Sequence, residues 1–572
     1  MRTIFYGLPA APGIGIGALY IYRAHRFDLE TVGIERAANV EEEWQLFLTA
    51  KGEVDAELAA LGNAENTLVA EVFTAQRVIL QDQTLLNAIH EAIFTEEQSA
   101  LSATKSAVYH LAEIFRNLGD EYFAGRAIDI LDIGQRLLTH MGGGSSAMVE
   151  LQSLPPQTIL VAMDLTPSEL TQLPLDHILG IALAESTPTA HSAILARTLS
   201  IPMVCTLGEA ILTIEDGTAI LDGEAGELLV DPTAGELAQY QETQQLQVAQ
   251  HALAVEHAQE AATTEDGVAI KVLANINQPE EMAQVLDAGA DGVGLLRTEY
   301  LFQNRPLPPT FDEQIAIYLA LAEQVAGRQL TVRALDAGGD KPMRYLHHAP
   351  EANPFLGLRG TRLLLARPTL LRTQFRALCH VAAQLAGRLE IRFMLPMISC
   401  IDEVRKARQI LDEAIADKTA DGAFHAPMKI GAMIEIPSAA LTAGPIAALV
   451  DFLSIGTNDL AQYTMATDRT NATVAALADP LHPAVLQLIK QSCEAGEAAK
   501  IPVSICGELS GDPAAVPLLL GLGLRELSAP LPAVPVVKEA VRSCTLAAGR
   551  RIAELALQCA DAAEVRRLLV TK

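Results

Sequence analysis

The stretch that decides the fold is residues 451–469, DFLSIGTNDLAQYTMATDR. An apolar run ends there at a Gly-Thr turn, and the chain then presents Asn458, Asp459 and, ten residues on, Arg469. A buried strand that delivers an amide, a carboxylate and a guanidinium at its C-terminal end is typical of an α/β barrel with a site for an anionic substrate. The alternative is a strand followed by a helix that Asn458 and Asp459 cap, which explains the same residues without a ligand.

The same pattern recurs between residues 265 and 530. Further apolar runs of strand length end in polar or reactive residues, and the second of them is followed by Lys341 after a double-glycine turn. Strand ends that carry Arg, Arg, Glu, Asn-Asp and Cys in succession predict one active site at the mouth of a (β/α)8 barrel. These runs and their endings are Gly292–Leu296 with Arg297, Leu330–Val332 with Arg333, Ile391–Leu395 with Pro396, Ile430–Ile434 with Glu435, and Ile501–Ile505 with Cys506.

Composition limits the class of protein. A length of 572 residues predicts two or three domains, and a hydrophobic content of 50% excludes global disorder. No run of about 18 apolar residues predicts a membrane span, and the N-terminus is too short and polar for a signal peptide. The 7 cysteines lack CxxC spacing, which predicts reduced thiols in a cytoplasmic protein and no zinc site. The net charge of −29 argues against nucleic acid or an anionic membrane as partner.

Changes of pattern along the chain predict its domain organisation. Residues 1–28 and 146–232 alternate short apolar strands with helices, which predicts one α/β domain. Residues 29–145 carry 19 acidic and 7 basic residues in helical patterns, which predicts an acidic helical bundle inserted in that domain. Residues 233–264 contain no Gly or Pro after the third position and predict one linker helix of about 26 residues, roughly 40 Å long. The barrel is expected over residues 265–572.

The charges at the predicted mouth limit the substrate. Arg297, Arg333 and Arg469 would repel one another and Lys341 unless a multiply charged anion lay among them. Guanidinium groups bind phosphate and carboxylate bidentately. Glu435 and Asp459 are hard oxygen ligands suited to Mg²⁺. We therefore expect a small substrate that carries both a phosphate and a carboxylate.

Two residues have more than one interpretation. Cys506 is either a packed thiol or a proton donor or nucleophile. His191, in the stretch STPTAHSAILAR, precedes an apolar helical run and is either an ordinary helix-start histidine or a phosphoryl carrier. The second interpretation follows from chemistry, because helix N-terminal amides stabilise phosphate and a neutral imidazole is a nucleophile at pH 7. Thr166 is a candidate hydrogen-bond partner of that imidazole.

Nine sequence blocks, distributed from about residue 8 to residue 565, resemble enzyme I of the phosphoenolpyruvate-dependent sugar phosphotransferase system. The blocks are LTPSE, TAHSAILAR, GVGLLRTEYLF, VRALDAGGDKP, NPFLGLRG, MLPMIS, IEIPSAA, SIGTNDLAQYTMATDR and ICGELSGDP. Pyruvate phosphate dikinase and phosphoenolpyruvate synthase share the swivelling-histidine and barrel domains, but they require an ATP-binding domain for which this chain has no room.

The resemblance implies a role for each site residue. It implies that phosphoenolpyruvate binds at the barrel with Mg²⁺, that a swivelling α/β domain carries the phosphohistidine, that the acidic bundle docks an HPr-like phosphocarrier protein, and that the barrel forms a homodimer. The implied residues are His191 as the phosphorylated histidine, Arg297, Arg333, Arg469 and Asn458 as phosphoenolpyruvate ligands, Glu435 and Asp459 as Mg²⁺ ligands, Arg359 and Lys341 as pocket-lining residues, and Cys506 as the proton donor that releases pyruvate.

One departure from the resembling family precedes His191. The family loop has the pattern Gly-Gly-x-x-Ser-His, whereas residues 186–191 here are Ser-Thr-Pro-Thr-Ala-His. Loss of two glycines stiffens the loop and loss of the serine removes a hydroxyl donor, which bears on the rate of transfer. Three alternatives stay open: a specialised paralogue with a dedicated carrier, a non-catalytic phosphoenolpyruvate sensor, and a barrel lyase in which His191 is incidental.

Overall fold

The structure is a computed structural model that divides into two compact units, Met1–Gln247 and Val248–Lys572. The residues that it describes are 2–23, 35–61, 73, 76–117, 121–143, 151–171, 173–187, 191–199, 201–214, 217–303, 305–325, 327–338, 343, 345–346, 351–416, 428–469, 471 and 474–570.

The first unit contains a mixed sheet of eight strands in the order β1-β8-β7-β3-β4-β5-β6-β2. Strand β3, near the N-terminus, pairs in parallel with β4, which follows the helical segment. The two predicted α/β segments therefore belong to one sheet with helices inserted between them, which confirms this part of the predicted fold. The strands are β1 Thr3–Tyr6, β2 Leu8–Ala11, β3 Ile14–Tyr22, β4 Thr158–Ala162, β5 Ile178–Leu183, β6 Met203–Cys205, β7 Thr218–Asp222 and β8 Glu227–Val230.

The described part of the inserted segment is mainly helical, as its pattern predicts. Apolar residues at helical spacing, including Val54, Ile89 and Val108, are buried together in its core. Gly134 lets two of the helices approach closely, because a Cβ at this position would collide with Val108. The helices of the segment are Val40–Leu61, Gln83–Phe94, Ala100–Asn117 and Glu121–Leu138, and the helices Pro167–Thr171 and His191–Thr198 follow in the α/β part.

The linker helix is shorter than predicted. It spans Ala234–Glu256, whereas its pattern predicts a helix through residue 262. Just beyond Glu256 the backbone contacts another part of the second unit. Lys538 Nζ donates hydrogen bonds to the carbonyl oxygens of Ala258 at 2.6 Å and Gly289 at 2.8 Å. Because tertiary partners take a carbonyl that a continued helix would use, the helix ends earlier than helix propensity alone predicts.

The second unit is a closed barrel of eight strands in the order β10-β11-β12-β13-β14-β15-β16-β9, and every neighbouring pair is parallel. The predicted (β/α)8 barrel is thus confirmed, and the predicted apolar runs coincide with its strands to within two residues. The strands are β9 Lys271–Ile276, β10 Gly292–Leu296, β11 Gln329–Arg333, β12 Glu390–Leu395, β13 Lys429–Ile434, β14 Phe452–Ile455, β15 Val503–Ile505 and β16 Glu526–Pro530.

Helices surround the barrel and pack their apolar faces on its strands. The interior of the barrel is filled by side chains that include Leu295, Met394, Met433 and Phe452, so it is a packed core and not a channel. The helices are Glu299–Phe302, Phe311–Gln324, Thr361–Ala366, Pro368–Gln384, Ile401–Ala416, Pro437–Leu441, Ala443–Ala447, Thr457–Met465, Pro483–Ala499, Val516–Gly521, Val534–Arg542, Leu546–Ala556 and Ala562–Val570.

Two predictions from composition concern thiols and membranes. All seven cysteines are free, as their spacing predicts. Across the ranges given above, no helix combines the length and the apolar character that crossing a membrane requires.

Candidate active site

The predicted site residues meet at the carboxyl end of the barrel. Arg297 directly follows β10, Arg333 ends β11, Glu435 follows β13 and Cys506 follows β15. Asp459 lies in the first turn of the helix that follows β14. Because the strands are parallel and the barrel is closed, these residues share one rim, which is the end where barrel enzymes carry their active sites.

The helix after β14 tests the interpretation of Asn458 and Asp459 as capping residues. It spans Thr457–Met465, its N-cap is Gly456, and no side chain makes a capping hydrogen bond. The capping interpretation is therefore wrong. Asn458 instead exchanges two hydrogen bonds with Glu508, whose backbone N–H donates to Asn458 Oδ1 at 3.0 Å while Asn458 Nδ2 donates to Glu508 Oε1 at 3.3 Å. This pair joins the ends of β14 and β15.

Arg333 is buried and held by two carboxylates. Its Nη2 donates to Glu299 Oε1 at 2.7 Å, and its Nη1 lies 3.4 Å from Asp336 Oδ2. Burial by itself lowers the pKa of Arg333, but the charges of Glu299 and Asp336 outweigh that effect and raise the pKa above its ordinary value. Arg333 is thus a fixed cation whose orientation is set before any ligand arrives.

Arg359 is also buried, and carboxylates from two directions surround it. It bonds Asp336 through Nε and Nη2, at 3.1 and 3.0 Å, and Asp459 through Nη1 and Nη2, both at 3.2 Å. Nη1 also donates to Tyr463 Oη at 3.3 Å, so all five N–H groups are engaged. The pocket-lining role of Arg359 stays a prediction, and the structure adds that this side chain positions two carboxylates.

Arg297 contrasts with the other two arginines. Burial lowers its pKa, and the nearby charge of Arg333 lowers it further. Within the described residues, the buried Nε atoms of Arg297 and Arg333 have no hydrogen-bond partner. Arg469 adds a third cation, with Nη1 at 3.9 Å from Asp459 Oδ1. Buried guanidinium groups with unused donors and like neighbours are suited to bind a multiply charged anion.

Glu435 and Asp459 fit the predicted magnesium site. Glu435 is fully buried, and burial together with the charges of Asp459 and Asp336 raises the pKa of its carboxyl to about 8. A divalent cation would relieve this excess of negative charge. Among the described residues no group of three or more His, Cys, Asp or Glu side chains is placed to hold a metal. Mg²⁺ commonly uses one or two carboxylates plus substrate oxygens and water, which matches a two-carboxylate site.

The surroundings of Cys506 narrow its possible chemistry. The thiol is buried, and Ser454 Oγ donates a hydrogen bond to its Sγ at 3.3 Å. Burial raises the pKa of Cys506 to about 11. A thiol that stays protonated at neutral pH is suited to donate a proton and poorly suited to act as a resting nucleophile. Gly507 is required beside it, because a Cβ there would collide with the hydroxyl of Thr457.

The second predicted site lies in the first unit. His191 is the first residue of the helix His191–Thr198, as its sequence context predicts. Its side chain lies outside the described residues, and so does the whole of Lys341. Thr166 accepts a hydrogen bond from the backbone of Glu169 at 3.2 Å, and its hydroxyl lies 3.4 Å from Asp132 Oδ1. The contact between Thr166 and His191 stays a prediction.

Ser186, five residues before His191, has a backbone conformation that favours glycine. Ser186 occupies the first glycine position of the family pattern and has a φ of 80°. A side chain is strained in this region, whereas glycine enters it freely. Thr206 holds the position, because its hydroxyl donates to the carbonyl oxygen of Ser186 at 2.8 Å. The serine at this position therefore adds local strain.

Several functional neighbours did not follow from the sequence pattern. Asp336 was visible as a polar residue after β11, but its contact with Arg359 depends on a loop 23 residues away. Tyr463 follows Asp459 at helical spacing, which places both on one face of the helix. Ser454 is a polar residue in an otherwise apolar strand, and this was the available signal for a contact inside the barrel.

Comparison with known proteins places the chain in a family. Three family models match it: the PEP-utilising enzyme PEP-binding domain over residues 251–546, the PEP-utilising enzyme N-terminal domain over 6–126 and the PEP-utilising enzyme mobile domain over 154–226. The chain belongs to the phosphoenolpyruvate-utilising enzymes. PEP denotes phosphoenolpyruvate. The PEP-binding model falls on the barrel, and the N-terminal and mobile-domain models fall on the first unit.

Relatives extend this result to the full length. A phosphoenolpyruvate-protein phosphotransferase of Bacillus sp. (strain S) is 37% identical over 572 residues, which is 99% of this chain and 97% of the relative. The one from Bacillus subtilis (strain 168) is 37% identical over 533 residues, 91% of each chain. A multiphosphoryl transfer protein of Rhodobacter capsulatus is 39% identical over 568 residues, 99% of this chain. The chain spans 67% of that longer relative. The resemblance to enzyme I is thereby confirmed.

Proposed function

We propose that this protein takes the phosphoryl group of phosphoenolpyruvate onto His191, releases pyruvate, and passes the group to a histidine of a small HPr-like phosphocarrier protein. In this proposal it performs the first step of sugar phosphotransferase transport in the cytoplasm. Support comes from relatives along the whole chain that carry the name phosphoenolpyruvate-protein phosphotransferase. That similarity does not favour the sensor or the lyase.

The observation that carries the proposal is the pair of unused guanidinium donors at the barrel mouth. Arg297 Nε and Arg333 Nε are both buried and unpaired within the described residues. Phosphoenolpyruvate supplies a phosphate and a carboxylate on one small molecule, so it offers acceptors for these donors and for Arg469. Charge-assisted bonds of this kind hold the substrate and offset the repulsion among the arginines.

The proposed transfer has two steps. The bond between phosphorus and the enol oxygen breaks while a bond between phosphorus and Nε2 of His191 forms, which leaves the enolate of pyruvate. The Cys506 thiol then gives its proton to the methylene carbon, pyruvate leaves, and the thiolate regains a proton from solvent. Arg297 and Arg333 stabilise the charge of the group in transfer. Mg²⁺, held by Glu435 and Asp459, would supply further neutralisation of phosphate charge.

We propose two protein partners, a phosphocarrier and a second copy of this chain. The helical segment 29–145, with 19 acidic and 7 basic residues, is suited to dock a carrier with a basic face. The barrel is proposed to form the homodimer that the family resemblance implies, which sedimentation of the purified chain tests.

Phosphate labelling from phosphoenolpyruvate tests the proposal. With ³²P-labelled substrate and Mg²⁺, we expect an acid-labile label on the wild-type protein and none on His191→Ala. A matched control is His251→Ala, because His251 is an exposed histidine on the linker helix. A label that persists on His191→Ala would show that another residue is phosphorylated. A wild-type protein that stays unlabelled would favour the sensor or the lyase.

The second half of the reaction needs its own measurement. The labelled protein is mixed with a purified HPr-like carrier, and we expect the label to appear on a histidine of the carrier. If the label stays on the labelled protein with a general carrier but moves to a dedicated one, the specialised paralogue is the correct form of the proposal.

A further inference from the structure

Gln374 is a fully buried polar side chain behind the barrel mouth. It lies on the helix Pro368–Gln384, on the same buried face as Leu371 and Phe375. A buried amide is costly unless every polar atom has a partner, so its contacts indicate what it is for. Its partners lie on three other elements, and two of them adjoin the arginines of the site.

The amide group of Gln374 is saturated. Nε2 donates to Thr298 Oγ1 at 3.1 Å and to Tyr318 Oη at 3.0 Å, while Oε1 accepts from the backbone N–H of Leu335 at 3.0 Å. Thr298 Oγ1 in turn donates to the carbonyl oxygen of Arg333 at 3.0 Å. Thr298 directly follows Arg297, and Leu335 lies two residues after Arg333. These bonds close a ring between the two strand ends, which we call the Gln374 bracket.

The bracket lies just beyond the last backbone pairing between β10 and β11. The last recorded partners of β10 and β11 are Leu296 and Val332, one residue before each arginine. Beyond this point Arg297 and Arg333 repel one another, since the charge of Arg333 lowers the pKa of Arg297 after the larger effect of burial. The bracket is therefore one of two recorded connections between these strand ends. The other is Glu299, whose Oε1 accepts from Arg333 Nη2 at 2.7 Å and from the backbone N–H of Asp336 at 3.2 Å.

We propose that Gln374 is a positioning residue that sets the spacing of Arg297 and Arg333 and thereby the affinity of the barrel for the phosphate of its substrate. The inference rests on the proposed function, in which these two arginines bind phosphoenolpyruvate. Gln374 itself does not touch substrate. Its effect passes through the strand ends, because guanidinium groups bind phosphate well only at matched spacing.

The test measures phosphoenolpyruvate binding by calorimetry in the full chain carrying His191→Ala, so that bound substrate is not consumed. Gln374→Met keeps the length of the side chain and removes its hydrogen bonds. We expect the dissociation constant to rise about tenfold, as for loss of a buried hydrogen-bond network. The matched control is Gln314→Met, because Gln314 is equally buried on the neighbouring helix Phe311–Gln324. Its recorded hydrogen bond joins Nε2 to the carbonyl oxygen of Pro309 at 3.1 Å and, among the described residues, involves neither strand end. The control is expected to change binding by less than about twofold.

A double-variant cycle separates positioning from a general loss of structure. In an Arg297→Met background there is no spacing between two guanidinium groups to maintain, so Gln374→Met is expected to have little further effect on binding. An equal effect in both backgrounds overturns the proposal, as does unchanged binding in Gln374→Met. If Gln374→Met fails to fold, Thr298→Val removes one hydroxyl of the same bracket and carries the same expectation.

Failure of the proposed function gives a different result. If Arg297→Met by itself leaves binding unchanged, the arginine is not a substrate ligand, and both the proposed function and the premise of the bracket are wrong. If Arg297→Met weakens binding while Gln374→Met does not, the proposed function stands and the bracket is overturned.

Discussion

The two ends of the barrel treat charge differently. At the amino end, where the strands begin, Lys271 Nζ lies 3.3 Å from Glu526 Oε1 and Arg392 Nη1 lies 3.2 Å from Glu526 Oε2. Arg392 Nε also contacts Glu390 Oε1 at 2.9 Å, and Lys429 Nζ contacts the same oxygen at 2.8 Å. Each of these cations has a carboxylate partner. The network is closed on itself and needs no ligand.

At the carboxyl end the charges are only partly matched. Arg359 is fully engaged, whereas the Nε atoms of Arg297 and Arg333 and the hydroxyl of Thr457 are buried without a partner among the described residues. Burial, together with the charges of Asp459 and Asp336, raises the pKa of Glu435 to about 8. Cations that each have a carboxylate partner are suited to stability, and buried donors without a partner are suited to a ligand, which agrees with the division of roles between the ends of such barrels.

The largest expected effect is on pyruvate release at the carboxyl end of the barrel. Cys506→Ala should slow steady-state pyruvate release about 100-fold or more, because it removes the acid that protonates the enolate. Burial raises the thiol pKa to about 11, so the wild-type protein should keep this proton donor from pH 7 to pH 9. Stability should fall by about 1 kcal/mol or less. Turnover close to that of the wild type would make Cys506 a packing residue.

At the amino end the largest effect should be on stability alone. Arg392→Met leaves the buried carboxylate of Glu526 with Lys271 as its remaining recorded partner, and we expect a loss of about 3 kcal/mol in the free energy of unfolding. Denaturant unfolding measures the loss. Affinity for phosphoenolpyruvate should stay within about twofold of the wild-type value. A large change in affinity with intact stability would contradict the proposed division between the ends.

Arg297→Met is the counterpart at the carboxyl end. Its expected cost is about 1.5–3 kcal/mol of substrate affinity, the value of a charge-assisted contact. Stability should be unchanged or higher, because burial and the charge of Arg333 both disfavour this cation in the free protein. Calorimetric titration with phosphoenolpyruvate and denaturant unfolding give both quantities, and a reversed pattern would show that Arg297 is structural.

The smallest expected effect is the change of Mg²⁺ affinity with pH. Metal binding requires the ionised carboxyl of Glu435, so protons compete with Mg²⁺ below the pKa of about 8. The apparent affinity for Mg²⁺ should rise as the pH rises from 6.5 to 8, by at most about tenfold per pH unit. Asp459 does not contribute in this range, since Arg359 and Arg469 outweigh its burial and keep its pKa low. Glu435→Gln should weaken Mg²⁺ binding and abolish this slope.

Much of the barrel was predictable for a physical reason. Parallel strands are buried on both faces, so they appear as continuous apolar runs, and β10 and β12 begin and end within one residue of their predicted bounds. The polar residues at the ends of those runs were predictable in the same way. The end of the linker helix was not, because it depends on Lys538, a residue 280 positions away from Ala258 in the chain.

The site was less predictable where tertiary contacts decide it. The sequence left Asn458 and Asp459 as caps or as site residues. The absence of a side-chain cap on the helix excludes the first, and the contact of Asn458 with Glu508, 50 residues away, could not be predicted from the pattern. The bracket at Gln374 had one weak signal, a polar residue on an apolar helix face. Its partners lie on separate elements, so the spacing of residues within one helix cannot predict them.

The central claim is that a phosphorylated His191 connects substrate and carrier. It is tested most directly by exchange of ¹⁴C-labelled pyruvate into phosphoenolpyruvate in the absence of any carrier protein, because a reversible phosphoenzyme intermediate permits exchange without an acceptor. With Mg²⁺ present, we expect exchange by the wild-type protein and by His251→Ala, and none by His191→Ala. Exchange that continues in His191→Ala would contradict it.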